Sequence, residues 1–289
     1  MVQSIGSIGT QGVTVAPKFM FGIAGHLKNN LHIIDENKLL YVAGHNVIIF
    51  NTEEPSQSFI PGSENTECIN FITVSPGKKF LAICERGEVR AQCTIYNLQT
   101  HKKQKVIPEA EQEVDYKAKE FLGVAFCPKD EKRHMVTLCG EPDYCVLLWQ
   151  HDVFKMLARI NLNIPEPPIG NSFHISYVNM STHFLVAVTG PGCFKWFKVA
   201  DGMNEFSVIK SELEYENGSK PDILSDNFTC HKFDTAGKMH FATAKGEIMI
   251  CDHGGNLQYY LDDAPFSNGR DYNRIECIYP ASRGLVVAG

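Results

Sequence analysis

Asp252-His253-Gly254-Gly255 sets a carboxylate beside an imidazole, and Asp262-Asp263 sets two carboxylates side by side. Such groups serve as metal ligands or as an acid and base pair. Neither stretch has the spacing that chemistry uses. The two aspartates are chain neighbours with no repeated ligand pattern around them, and they read as a turn between strands. Gly-Gly after Asp252-His253 is turn chemistry at a strand end. Gly6-Ser7-Ile8-Gly9-Thr10-Gln11-Gly12 resembles a phosphate loop only in its glycines. No strand precedes it and no Lys-Ser/Thr closes it, so a flexible tail over residues 1–18 is expected. His32, His45, His174 and His231 are scattered one to a segment and read as structural.

Ten cysteines, at 68, 84, 93, 127, 139, 145, 193, 230, 251 and 277, form no CxxC and no familiar ligand spacing. Most lie in apolar runs such as Leu138-Cys139-Gly140, where a reduced thiol behaves as a small hydrophobe. No catalytic, cofactor-binding or metal-binding residues are therefore expected, and the chain reads as a non-enzyme. The charged stretch from His101 to Glu120 has more content. Lys102, Lys103 and Lys105 are followed by Glu109, Glu111, Glu113, Asp115 and Glu120, opposed by Lys117 and Lys119. Its simple reading is a solvated hairpin or loop. Its functional reading is a docking patch, Lys102, Lys103 and Lys105, for an acidic protein surface.

Those residues need elements to hold them, and the elements repeat. Five short strands close on a bulky apolar residue followed by a polar one, at Phe50, Tyr96, Trp149, Phe197 and Cys251, in steps of 46, 53, 48 and 54. Upstream of each lies a pair of apolar strands joined by a polar, Pro or Gly turn: Leu31 to Ala43, Ile69 to Cys84, Leu122 to Cys139, Phe173 to Val188 and Cys230 to Thr243. A sixth pair opens at Ile275 to Tyr279. With a weaker fourth strand, such as Gln57 to Ile60, each unit makes a four-stranded antiparallel blade. Gly190-Pro191-Gly192 reads as a tight hairpin turn and Pro165-Glu166-Pro167-Pro168 as a stiff surface connection. The period matches WD40-type propeller blades with inserted loops. The fold expected is all-β: five complete blades plus the start of a sixth, over residues 19–289, as the N-terminal part of a seven-bladed ring. The last residues, Gly284 to Gly289, stop within a strand pattern, so a longer parent protein is expected.

The 289 residues are 44% hydrophobic and 21% charged, which excludes a wholly disordered chain. A net charge of −6 disfavours a nucleic-acid binder held by a general basic field. No run of apolar residues is long enough for a transmembrane helix, and the first residues lack the basic and apolar regions of a secretory signal. Val2 stands where a myristoylation site needs glycine. The three Asn-x-Ser/Thr sequons, at Asn179, Asn217 and Asn227, are then chance matches. A propeller enzyme would place carboxylates or histidines on strands lining the channel; those opening at Val47, Cys93, Val146 and Phe194 carry none there.

Several segments, in order along nearly the whole chain, resemble the N-terminal propeller of the cilia- and flagella-associated protein 57 family. They are Phe21-Gly22-Ile23 with Asn29-Asn30 and Asp35-Glu36, then Phe59-Ile60-Pro61-Gly62-Ser63-Glu64, Ser75-Pro76 leading to Leu81-Ala82-Ile83 and Glu85, and Thr94-Ile95-Tyr96. Gly192-Cys193-Phe194-Lys195 with Gly202, and Lys245-Gly246-Glu247, continue the likeness. The resemblance implies a structural protein of the motile-cilium axoneme. Its partners would be inner dynein arm subunits, the dynein regulatory complex, other axonemal proteins and tubulin. The alternatives are a propeller that binds microtubules directly, as the echinoderm-type microtubule-associated proteins do, and a general intracellular WD40 adaptor. No nucleic acid, membrane or cofactor is implied.

Overall fold

Val, Ile, Phe and Thr in short runs, broken by Asp, Asn, Ser, Pro and Gly, favour short strands over helices. The computed structural model describes residues 18–109, 112–164, 172–180, 183–200, 202–223, 225–261 and 274–289. Gly6 to Gly12, Glu111, Pro165 to Pro168 and Asp262-Asp263 lie outside them. Among the described residues the only helical element is a three-residue 3-10 turn, His151–Val153.

The strands form successive sheets. The first contains β1 (Leu31–Asp35), β2 (Lys38–Ala43), β3 (Asn46–Asn51) and β4 (Ser56–Pro61). The second contains β5 (Thr66–Val74), β6 (Phe80–Gly87), β7 (Gln92–Asn97) and β8 (Lys103–Ile107). The third contains β9 (Phe121–Phe126), β10 (His134–Cys139), β11 (Cys145–Gln150) and β12 (Lys155–Asn161), and the fourth β13 (His174–Asn179), β14 (Phe184–Gly190), β15 (Cys193–Val199) and β16 (Phe206–Lys210). β17 (Glu214–Tyr215) joins the fifth, which contains β18 (Phe228–Phe233), β19 (Met239–Thr243), β20 (Ile248–Cys251) and β21 (Asn256–Leu261). The sixth is the hairpin β22 (Cys277–Ala281) and β23 (Gly284–Ala288). Within each four-stranded unit, neighbours in sequence pair antiparallel, so these are the expected propeller blades, five complete and a sixth begun.

Side chains close the turns. Ser75 Oγ accepts from the backbone N–H of Lys79 (3.2 Å) and Phe80 (3.1 Å). Asp234 Oδ1 accepts from Ala236 and Lys238, each at 2.9 Å, while Gly237 takes φ +78. Asp252 Oδ1 does the same for Gly254 (2.8 Å) and Asn256 (2.9 Å), with Gly255 at φ +79. Asp252-His253-Gly254-Gly255 is thus a turn, as the sequence implied.

A pleated strand sends alternate side chains to opposite faces, and here both faces are apolar. On β11, Cys145, Leu147 and Trp149 pack towards the second blade, and Val146 and Leu148 towards the fourth. On β6, Leu81 and Ile83 face the first blade and Ala82 and Cys84 the third. Five separate cores result, one between each successive pair of sheets. Burying Trp149 requires a partner for its indole N–H, and Thr137 Oγ1 accepts it at 2.9 Å. All ten cysteines are free thiols and eight are buried, as small core residues.

The connections carry charge-assisted links between blades. Glu85, 1% exposed on β6, accepts from Ser63 N (2.6 Å), Ser63 Oγ (2.8 Å), Thr66 Oγ1 (3.0 Å) and Gln92 Nε2 (3.2 Å), with His45 Nε2 at 3.4 Å. This carboxylate therefore pins the segment leading from β4 into β5. Replacing Glu85 with Ala leaves those donors unpaired in a buried place, and is expected to destabilise the chain by roughly 3 kcal/mol. Glu67→Ala, which breaks an exposed pair with Arg86, is expected to cost under about 1 kcal/mol. Urea unfolding of the two variants measures the difference; equal midpoints would refute the assigned role.

Candidate functional site

Two places gather polar groups: the channel, and a rim of the second blade. The channel, ≈ 490 Å³, is lined by β1, β5, β9, β13, β18 and β22. These first strands of the blades, and not those opening at Val47, Cys93, Val146 and Phe194, face it. All four of those residues are buried in the cores between blades. The test for channel chemistry thus moves one sheet edge inwards, where His32, His174, His231 and Lys232 sit. The signal was an imidazole on three of the first strands, β1, β13 and β18. At the channel's edge Lys28 pairs with Glu276, joining the first and last sheets.

His231 is spent on structure. Its Nε2 lies 2.8 Å from Ser176 Oγ and its Nδ1 2.7 Å from Thr189 Oγ1, which ties β18 to β13 and β14 of the preceding blade. His174 lies beside it, ring centres 5.9 Å apart. Burial, reinforced by Lys28, pushes His174 down to about 4; burial and then His174 hold His231 well below the usual imidazole range. His32 is lowered too, by burial first. His174 and His231 are therefore neutral at neutral pH, and no cluster of metal-holding groups occurs among the described residues. His45 serves Glu85. Of the four histidines that read as structural, His231 and His45 have hydrogen-bonding partners that join segments, and His174 packs against His231 across a blade boundary.

The three candidate lysines are not equivalent. The His101–Glu120 stretch is not a free loop: Lys103–Ile107 is β8, the outer strand of the second blade, paired with β7. The sequence pattern hid this because β8 is an edge strand with polar residues outward. Beyond it, Tyr116 and Ala118 are buried against the second and third blades. Asp143 Oδ2 accepts from Lys117 N (2.6 Å) and Ala118 N (2.7 Å). Lys105 reaches the third blade, donating to Asp152 O with its ammonium 4.7 Å from the Phe154 ring. Lys102 and Lys103 are exposed and make no salt bridge among the described residues. Leu98 N donates to Lys79 O at 2.9 Å, which draws the β5–β6 turn, with exposed Lys78 and Lys79, against the β7–β8 turn. The rim thus carries four exposed lysines, two of which the sequence pattern does not single out because they lie far from the other pair along the chain.

A cilia- and flagella-associated protein 57 of Mus musculus is 24% identical over 237 residues, covering 81% of this chain and 17% of that protein. The chain is similar to this family over most of its length. Cilia- and flagella-associated protein 57 C of Tetrahymena thermophila is 24% identical over 86% of the chain and 22% of its own length. The mouse cilia- and flagella-associated protein 44 is 26% identical over 57% of the chain and 9% of its own length. The chain therefore spans about a fifth of the length of the first two relatives. No protein-family model matches it. The names are those of cilia- and flagella-associated proteins and none is the name of an enzyme, in keeping with the resemblance read from Phe59 to Glu64 and the segments around it.

The neutral histidines make stability depend on pH. A group depressed on folding contributes stability above its unfolded value, near 6.5, that is lost as pH falls towards the folded one. For His174, at about 4, this amounts to about 3 kcal/mol. The melting temperature is expected to drop steadily from pH 7 to 4.5, and His174→Gln to flatten that slope. A slope unchanged in the variant would remove His174 as the titrating group.

Proposed function

We propose that the chain is a non-enzymatic scaffold of the motile-cilium axoneme, binding proteins that anchor or regulate inner dynein arms on doublet microtubules. The observation that carries this reading is the likeness to a cilia- and flagella-associated protein over 81% of the chain, joined to a fold whose apolar residues are spent on packing blades. On this reading the chain works in the cytoskeleton of the cilium, as one component of a large complex. Its partners are dynein arm subunits, the dynein regulatory complex and tubulin, and it needs no cofactor. Residues 19–289 act as one propeller unit.

Lys102 and Lys103 are the proposed contacts, with Lys105 holding β8 against the third blade beside them. Fixed surface charge accelerates and orients docking more than it raises affinity. A second reading, direct binding to the microtubule lattice, draws on the same exposed ammonium groups. Co-sedimentation of the purified chain with microtubules separates the two.

Reversing Lys102, Lys103 and Lys105 to Glu is expected to release the protein from axonemes at lower salt than the unaltered form. Lys105→Glu alone is expected to lower the melting temperature as well, because it also breaks the link to Asp152 and Phe154. Unchanged retention of the triple variant through a graded salt wash would take the lysines out of the proposed function.

A further inference from the structure

Between the first and second blades, beside the lysine rim, lies an open groove of about 590 Å³. Its lining is largely polar, with an apolar strip made by half-buried Ile34 near the end of β1 and by the buried Ile49 on β3 and Leu98 after β7. Both Ile49 and Leu98 belong to the core between these blades, so the groove is an extension of that core to the surface. Its wall on the second blade carries Lys78 and His101, and Lys79, Lys102 and Lys103 adjoin them. Among the described residues no carboxylate pairs with any of these four lysines. The one carboxylate in the lining, Asp35, has its own lysine, Lys38, at 4.0 Å. The turn that presents the basic wall is held firmly: Asn97 Oδ1 accepts from Gln99 N and Thr100 N, each at 2.9 Å, and Asn97 N donates to Lys102 O at 3.0 Å.

In a chain of net charge −6, four unpaired ammonium groups beside an apolar strip select for one kind of occupant. We propose that this groove binds an extended acidic segment of a partner protein, with carboxylates against Lys78, Lys79, Lys102 and Lys103 and an apolar side chain against Ile34, Ile49 and Leu98. This deepens the proposed docking role by naming the chemistry of the partner, and rests on that reading for its biological setting only. Half-buried Ile34 supplies affinity through apolar area removed from water, and the lysines supply steering and selection against basic segments.

The test uses the purified chain and fluorescein-labelled synthetic peptides read by anisotropy. A short glutamate peptide interrupted by leucines is expected to bind, an all-glutamate peptide to bind weakly, and a lysine peptide with the same leucines not to bind. Lys79→Glu with Lys102→Glu, both on exposed turns, is expected to weaken binding about tenfold or more with an unchanged melting temperature. Ile34→Asn is expected to remove the advantage of the leucines. Raising the salt is expected to weaken the remaining binding, since exposed charges are screened. No binding of the leucine-bearing acidic peptide, equal binding of the lysine peptide, or equal binding of the all-glutamate peptide would each overturn the groove. If axonemal retention depends on the lysines while the peptide fails to bind, the groove falls and the docking role stands; if the peptide binds while retention ignores the lysines, the docking role falls and the groove stands.

Discussion

Everything in this fold follows from a blade having two apolar faces. A four-stranded sheet whose inward and outward side chains are both Val, Ile, Leu or Phe has no face to offer water, so it is stable only between two others. β11 shows the rule within one strand, its alternate residues entering different cores. A strand of this kind reads as a continuous apolar run, unlike the polar-out alternation of a half-exposed sheet. Leu31 (57% exposed) and Tyr279 (57%) are open because they line the channel, while Ile33 (65%) on the first blade and Val286 (60%) on the sixth are exposed outside it. Residues before β1 pack on the third and fourth strands of the first blade. Met20 is clasped through its backbone by Gln57 (2.7 and 3.0 Å), and Phe19 stacks edge-on to Phe50 at 6.4 Å.

Apolar packing is non-directional, so it leaves each blade free to slide and rotate on its neighbour. Polar links across the boundaries remove that freedom. Glu85 fixes the segment from the first blade into the second, Asp143 holds Lys117 and Ala118, and His231 spans Ser176 and Thr189. Glu85 and His231 are buried, so their links are worth more than a surface contact and are costly to break on one side only. β17 does a related task at the rim, pairing in parallel with β21 so that the outer edge of the fifth blade is covered.

The blades were legible in the sequence because two signals agree at every repeat. Turn residues such as Asp234 to Gly237 fall where short apolar strands end, and the bulky residues Phe50, Tyr96, Trp149, Phe197 and Cys251 keep a common place at or near the end of the third strand of each blade. The direction of the blades was not legible. Nothing in a strand's composition says which edge of the sheet faces the channel, and the third strands, richest in large side chains, read as the inner ones. β8 was hidden for a different reason: Lys103, Gln104 and Lys105 are polar because one edge of the blade is solvated, which is also how a loop looks. The pairing of Lys78 and Lys79 with Lys102 and Lys103 was invisible because it arises from the hydrogen bond between Leu98 and Lys79, a contact between two turns of one blade.

That contact explains why the proposed docking surface is placed on the rim and not in the channel. Two groups in or beside the channel serve the ring itself: His231 joins two blades, and the ion pair of Lys28 with Glu276 joins the first sheet to the last. A group committed to closing the fold is poorly placed to exchange that partner for a ligand, because doing so loosens a blade. Turn residues carry no such duty. Their backbones are fixed by Ser75 and Asn97, while their side chains are left to solvent. Lys105 marks the boundary between the two regimes, three residues from Lys102 yet donating to the third blade. One short segment thus holds Lys105 for architecture and leaves Lys102 and Lys103 to solvent, so the proposed rim draws on no residue on which the packing depends.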